Sequence, residues 1–231
     1  MDEGTMVNEQ EHHTLNRRIY YKVRDLIASG RIPPGAQLDE RSLAQDLAVS
    51  RTPLREAIAT LVEEGLVERR PYRGNFVRMF TAKQVNDLYM VRKVLEGLAT
   101  RLAVLSLTEE DLHRIRAILD EAQQARDQGD LAAYSTADAR FHDTIARLSN
   151  NEVLIASLDR LKRQIQIVRL GANQDPQVVA RTALERPQIL AALEARDADQ
   201  AARLMEEHID GVRDSMIALL QSSATSDEKR S

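Results

Sequence analysis

Apolar positions in the first third of the chain recur at helical spacing, but only in short stretches. Leu15, Ile19, Val23, Leu26 and Ile27 fall at i, i+4, i+8, i+11 and i+12, which predicts an amphipathic helix. Gly30 marks its end, and Pro33-Pro34-Gly35 forbids its continuation. A second short helix is expected around Leu43, Ala44 and Leu47, opened by Asp39 or Ser42. A third starts at Ser50 as N-cap, turns Leu54, Ile58, Leu61 and Val62 inward, and stops at Gly65. Two β-type runs follow, 66–69 and 75–78, with Pro71 and Gly74 in the turn between them. Helix, helix, helix, hairpin is the order of a winged helix-turn-helix.

From Thr81 the helical patterns lengthen, running about 82–105, 108–127, 130–149, 152–170, 175–195 and 197–221. The breaks fall at Ser106-Leu107-Thr108, Gly129-Asp130, Asn150-Asn151, Gly171 to Pro176, and Arg196-Asp197. Leu88, Val91, Leu95, Leu98 and Leu102 make one apolar stripe. Six helices joined by short loops imply an antiparallel bundle. The expected fold is mainly α: a winged helix-turn-helix with a small β-hairpin over 14–80, then an all-α six-helix bundle over 81–221. Polar tails at 1–13 and 222–231 are expected to be disordered.

The 43% of apolar residues suffices for a core and excludes a disordered chain. With no cysteine, disulfide scaffolds, zinc fingers and thiol chemistry are excluded. No apolar run approaches the roughly 18–20 residues that span a bilayer, so no membrane partner is expected. The acidic start MDEGTMVNEQEHH is unlike a secretory signal, which points to the cytoplasm. Charge is uneven. Residues 1–13 carry −4, residues 14–80 carry 12 basic against 8 acidic groups, and residues 81–231 carry 20 against 24. A basic segment inside an acidic chain points to a polyanion partner.

Within that segment, Ser50-Arg51-Thr52-Pro53-Leu54-Arg55 opens the third helix. Burying Leu54, Ile58 and Leu61 leaves Arg51, Thr52 and Arg55 on other faces, with the two arginines at i, i+4. A helix start bearing exposed Arg and hydroxyl groups suits a major groove, where Arg grips guanine O6 and N7 with two bonds. Arg41 is placed for a backbone phosphate, and the turn from Arg69 to Gly74 is a basic wing whose glycine permits close approach to a strand.

The segments PPGAQLDE, SRTPLREA, LVEEGLV and RPYRGNFV occur in this order, and the stretch resembles the winged-helix domain of the GntR family of bacterial transcription regulators. The resemblance covers about residues 15–80. It implies double-stranded operator DNA as partner, with Arg41, Arg51, Arg55, Arg73 and Gly74 at the DNA and Ser50 and Thr52 on phosphates. Ala48 departs from the family, which usually has Gly there. In a left-handed conformation Ala costs on the order of 1 kcal/mol more than Gly.

In the second part, VRKVLEGLATRLA, DARFHDTIARLSNN and MEEHI resemble the FadR branch of that family with its all-helical FCD effector domain. Asp138 and His142 lie at i, i+4, and His208 lies on the last helix. A carboxylate with two imidazoles suits a divalent ion such as Zn or Ni, one per subunit. The family commonly completes the set with a His preceded by Glu, but here the dipeptide is Glu185-Arg186, and Arg cannot ligate a metal. Three readings stand: a three-ligand metal site, direct recognition of an effector carboxylate by Arg186, or an Asp–His–His hydrogen-bond network closing the bundle. Arg92, in an R-x-x-L-E context with Glu96, points either into the effector cavity or along the surface as an i, i+4 pair. His12, His13 and His113 have no supporting pattern.

The expected function is a homodimeric repressor whose operator binding responds to a small organic acid. The rival is a metal-dependent hydrolase carrying a DNA-binding domain, against which stands the lack of an H-E-x-x-H helix and of an evident general base.

Overall fold

The computed structural model describes the backbone of residues 3–28 and 30–228, and the side chains of 15–27 and 30–222. The chain divides into two compact units, Met1–Met79 and Phe80–Ser231. In the first, α1 (Glu3–Ala28), α2 (Glu40–Asp46) and α3 (Arg51–Glu63) precede the hairpin β1 (Val67–Arg70) and β2 (Gly74–Val77). Ile19, Val23 and Ile27 on α1 meet Leu54, Ala57, Ile58 and Leu61 on α3, all buried. Asp39 caps α2, accepting from the backbone N–H groups of Arg41 and Ser42.

The hairpin pairs antiparallel, with Val67 opposite Val77 and Arg70 opposite Gly74, one residue off the expected strand limits at each end. Its second strand also takes a partner that periodicity did not reveal. Leu38 donates to the Asn75 carbonyl and Val77 to the Ala36 carbonyl, so residues 36–38 flank β2. Gly74 is required here: its φ is +101°, and a Cβ would stand 3.0 Å from Gln37 Nε2.

The second unit holds α4 (Ala82–Ala103), α5 (Glu109–Asp127), α6 (Leu131–Leu148), α7 (Glu152–Ala172), α8 (Pro176–Glu194) and α9 (Ala198–Glu228). Each start has a polar cap: capping boxes at Thr81 with Gln84 and at Thr108 with Asp111, then Asp130, Asn151, Asp175 and Asp197. Helix α4 packs against α6, α7 and α9, while α5 lies on α6 and α8.

Three expectations change. The tail at 1–13 is largely helical, because α1 begins at Glu3; the run to His13 holds one glycine and no proline, and its early acids suit a helix N-terminus. The side chains of His12 and His13 lie outside the described residues. The tail from Ser222 likewise continues α9 to Glu228, with no glycine or proline to stop it. The α4 stripe is split: Leu88 is buried, Leu95 and Leu102 are half-buried against Ala99, Ala146, Leu154 and Leu158, and Val91 and Leu98 face outward. A helix touched by three others buries a different arc from the one its leucines mark.

Candidate functional site

In the first unit, all seven residues expected at DNA are exposed: Arg41, Ser50, Arg51, Thr52, Arg55, Arg73 and Gly74. Ser50 occupies the N-cap position of α3 with extended backbone, but its side chain makes no capping hydrogen bond. The first-turn N–H groups of Arg51 and Thr52 therefore lack a side-chain cap, and together with the helix dipole they offer a phosphate site. A concavity lined by Arg41, Gln45, Ala48, Ser50 and Arg51 lies beside them. Ala48 has φ +53°, the left-handed turn conformation that the sequence made costly.

A second concavity runs between α3 and the hairpin, lined by Glu40, Arg55, Arg69, Arg70, Tyr72 and Gly74. Glu40 was not singled out from sequence. Its carboxylate accepts from Arg55 Nε at 2.7 Å and from Asn75 Nδ2 at 3.1 Å, tying α2, α3 and β2 together and fixing the Arg55 guanidinium. Tyr72, fully exposed at the hairpin tip with φ +61°, is a second residue that reasoning missed.

In the second unit a charged cluster lies in the core. Asp138, His142 and His208 bring donor atoms within 4.8 Å of one another, and all three are buried. Arg92 and Arg186 are buried with them. Arg92 points inward rather than along the surface, donating from Nε to Glu96 Oε1 at 2.7 Å and standing 3.2 Å from His142 Nε2. Arg186 donates to Tyr134 and to the Thr182 carbonyl, and its Nη1 stands 3.4 Å from Asp138 Oδ1. A third guanidinium, Arg169, takes the other side of that carboxylate, with Nε 2.8 Å from Oδ2. Arg169 was not singled out from sequence, because it lies on another helix from Asp138 and no local spacing links the two. His113 is exposed beside Arg116.

Electrostatics sort the cluster. Burial works against a charged Asp138, but Arg169 and Arg186 outweigh it and hold its carboxyl far below the usual range. Burial also opposes Glu96, which Arg92 and His142 hold well below its ordinary value. Burial drives His142 down to about 3 despite Glu96, so that imidazole is neutral. His208 is lowered by burial too, against its hydrogen bond with Glu185. Arg169 is lowered by burial, with Arg92 adding to the effect.

Three guanidiniums against two carboxylates leave these buried groups with a surplus positive charge. The donor trio converges as a metal site requires, yet guanidiniums stand on both oxygens of Asp138, and none can give up its proton to make room. A dication does not fit this arrangement. A cleft of about 50 Å³ between α6 and α7 reaches the cluster, with Glu96, His142 and Arg169 among its lining residues and Asp143, Asp159 and Lys162 beside them.

Comparison with known proteins places both units. Residues 15–77 match the model for bacterial regulatory proteins of the gntR family, and residues 87–211 match the FCD domain. A probable D-xylose utilization operon transcriptional repressor of Paenarthrobacter nicotinovorans is 30% identical over 192 residues, covering 81% of this chain and 84% of that protein. The HTH-type transcriptional repressor RspR of Escherichia coli K12 is 27% identical, covering 91% and 92%. A crystal structure of a putative transcriptional regulator GntR from Rhodococcus sp. RHA1 superposes with a TM-score of 0.72 at 27% identity, covering 88% of this chain and 97% of that one. Among the described residues, no helix is long and apolar enough to cross a membrane.

Proposed function

The chain belongs to the GntR family, as a DNA-binding transcriptional regulator with an FCD domain and not an enzyme, and on that premise we propose that it is a homodimeric repressor released by a small organic acid. Family membership leaves the hydrolase alternative without support. The observation that carries the DNA-reading role is the exposed first turn of α3, where Arg51, Thr52 and Arg55 stand beside uncapped backbone N–H groups. Phosphates bind those N–H groups, Ser50 and Arg41; base edges are read by Arg51 and Arg55; Arg73 and Gly74 bring the hairpin onto the neighbouring strand. Two copies reach the two half-sites of a roughly palindromic operator, so that protein symmetry matches DNA symmetry.

The pairing face is the outer side of α4. Met90, Val91, Val94 and Leu98 are all exposed there at helical spacing, a contiguous apolar strip that a lone copy leaves in water. The effector enters the helical unit, whose buried surplus of positive charge suits a carboxylate. It releases the operator by binding more tightly to the arrangement that does not hold DNA. The site of action is the cytoplasm, where operator DNA resides.

Fluorescence anisotropy with fragments from the chain's own upstream region tests this reading. A preference for one fragment over bulk competitor is the expected result. Equal binding to all fragments, even at low salt, would sink it.

A further inference from the structure

The buried centre of the second unit is short of negative charge and short of acceptors. Arg92, Arg169 and Arg186 face two buried carboxylates, Glu96 and Asp138. Two further acids are near: Glu185 is half-buried, 2.7 Å from His208 Nδ1 and paired with Arg181 at 3.0 Å, and Asp143 at the cleft is paired with Arg147 and Lys162, so neither balances the excess. A dication added here would raise the surplus and stand against guanidiniums; a monocarboxylate would cancel it.

Two polar groups at this centre lack a hydrogen bond. The Tyr89 hydroxyl is wholly buried with no acceptor in hydrogen-bond geometry; the groups acting on it are Arg92, itself a donor, with Arg169 and Asp138. Arg169 Nε is close to Asp138 but off the axis of a hydrogen bond. Buried donors without acceptors are costly unless a ligand supplies the acceptor. The cleft between α6 and α7 leads to Arg169, and its volume of about 50 Å³ is several times the roughly 10–15 Å³ that one water needs, enough for a carboxylate with a short tail.

We propose that the helical unit is a metal-free anion site, in which Arg186 stands where an ion would sit and a small monocarboxylate accepts from Arg169 and the Tyr89 hydroxyl. This rests on the reading of the chain as an effector-responsive regulator. It goes beyond that reading in naming the ligand's charge, its contacts and the absence of an ion from the working centre. Asp138 then serves as a positioning residue, standing between Arg169 and Arg186 with one ion pair on each oxygen.

The test uses the purified full chain, prepared without chelator. Elemental analysis is expected to find far less than stoichiometric zinc or nickel. Calorimetric titration with either ion should show no tight site. Acetate, propionate and lactate should raise the melting temperature, whereas chloride at matched ionic strength should not. Tyr89→Phe should weaken the carboxylate effect about fivefold through one lost hydrogen bond, with circular dichroism unchanged. Arg169→Met should abolish it. Arg186→His removes the surplus charge and supplies an imidazole, and is expected to take up zinc stoichiometrically.

Stoichiometric metal in the parent protein overturns the proposal. So does a carboxylate effect that survives both Tyr89→Phe and Arg169→Met, or a folded Arg186→His variant that takes up no zinc. If Arg186→His does not fold, the parent's metal content and Tyr89→Phe decide. Operator binding measured on the same samples separates the two levels: a parent that holds zinc and still selects its operator overturns only the metal-free centre, whereas a parent that selects no DNA overturns the regulator reading beneath it.

Discussion

At the scale of single residues, the DNA-binding unit is built around contacts that fix arginines before DNA arrives. Arg55 is held by Glu40, so its guanidinium is directed at little entropic cost on binding. Replacing Arg51 or Arg55 with Ala is expected to cost roughly 1–3 kcal/mol per half-site and to relax specificity at the matching base. Glu40→Gln should behave differently. It removes a negative charge beside DNA and frees Arg55, so non-specific affinity rises while operator affinity falls; anisotropy on operator and on scrambled duplex measures both. A second residue-scale effect sits at Ala48. Its φ of +53° is strained for a residue with a Cβ. Ala48→Gly is expected to stabilise the unit by about 1 kcal/mol, read as a shift in the urea midpoint without a change in slope.

At the scale of elements, the joint between α1 and α3 is partly polar. The Tyr20 hydroxyl donates to Glu64 at 2.7 Å, and burial, reinforced by Glu64, pushes its pKa from 10.0 to about 12. The folded value lies above the ordinary one, so this contribution is whole below pH 10 and is lost as pH rises towards 12. Tyr20→Phe should cost about 1 kcal/mol at neutral pH and flatten the alkaline fall in melting temperature. On α4, Val94 is 65% exposed, so Val94→Glu leaves the helix unit intact. In the proposed two-fold pairing it sets like charges against each other, and light scattering is expected to find dimer for the parent and monomer for the variant. Elements were the most legible level of the sequence, because Gly30, Gly65, Asp130, Asn151 and Asp175 punctuate them chemically. What escaped was the choice of face on α4. Its leucines mark one arc, but Tyr89, Arg92 and Glu96 mark another, and packing against α6, α7 and α9 decided between them.

At the scale of the whole molecule, the winged unit was readable because its motifs are local, and the residues proposed to meet DNA lie within 34 positions, from Arg41 to Gly74. The charged centre was half readable. The i, i+4 spacings of Arg92 with Glu96 and of Asp138 with His142 survive in sequence. Arg169 joins them from α7 and Arg186 from α8, and no local pattern marks either as a neighbour of Asp138. Glu40 escaped for the same reason: its partners, Arg55 and Asn75, lie 15 and 35 positions away.

Helix α4 carries two kinds of face on 22 residues: Tyr89, Arg92 and Glu96 turn to the interior, and Met90, Val91 and Val94 turn out. So short a rod cannot shift on one side while its other side stays still. If the outer face mates with a second copy, occupancy inside and self-association outside share one free energy, and each must alter the other by an equal factor. Such a protein gauges its own abundance along with its metabolite. Diluting it should slide the half-saturation point for acetate, and that slide should vanish in Val94→Glu.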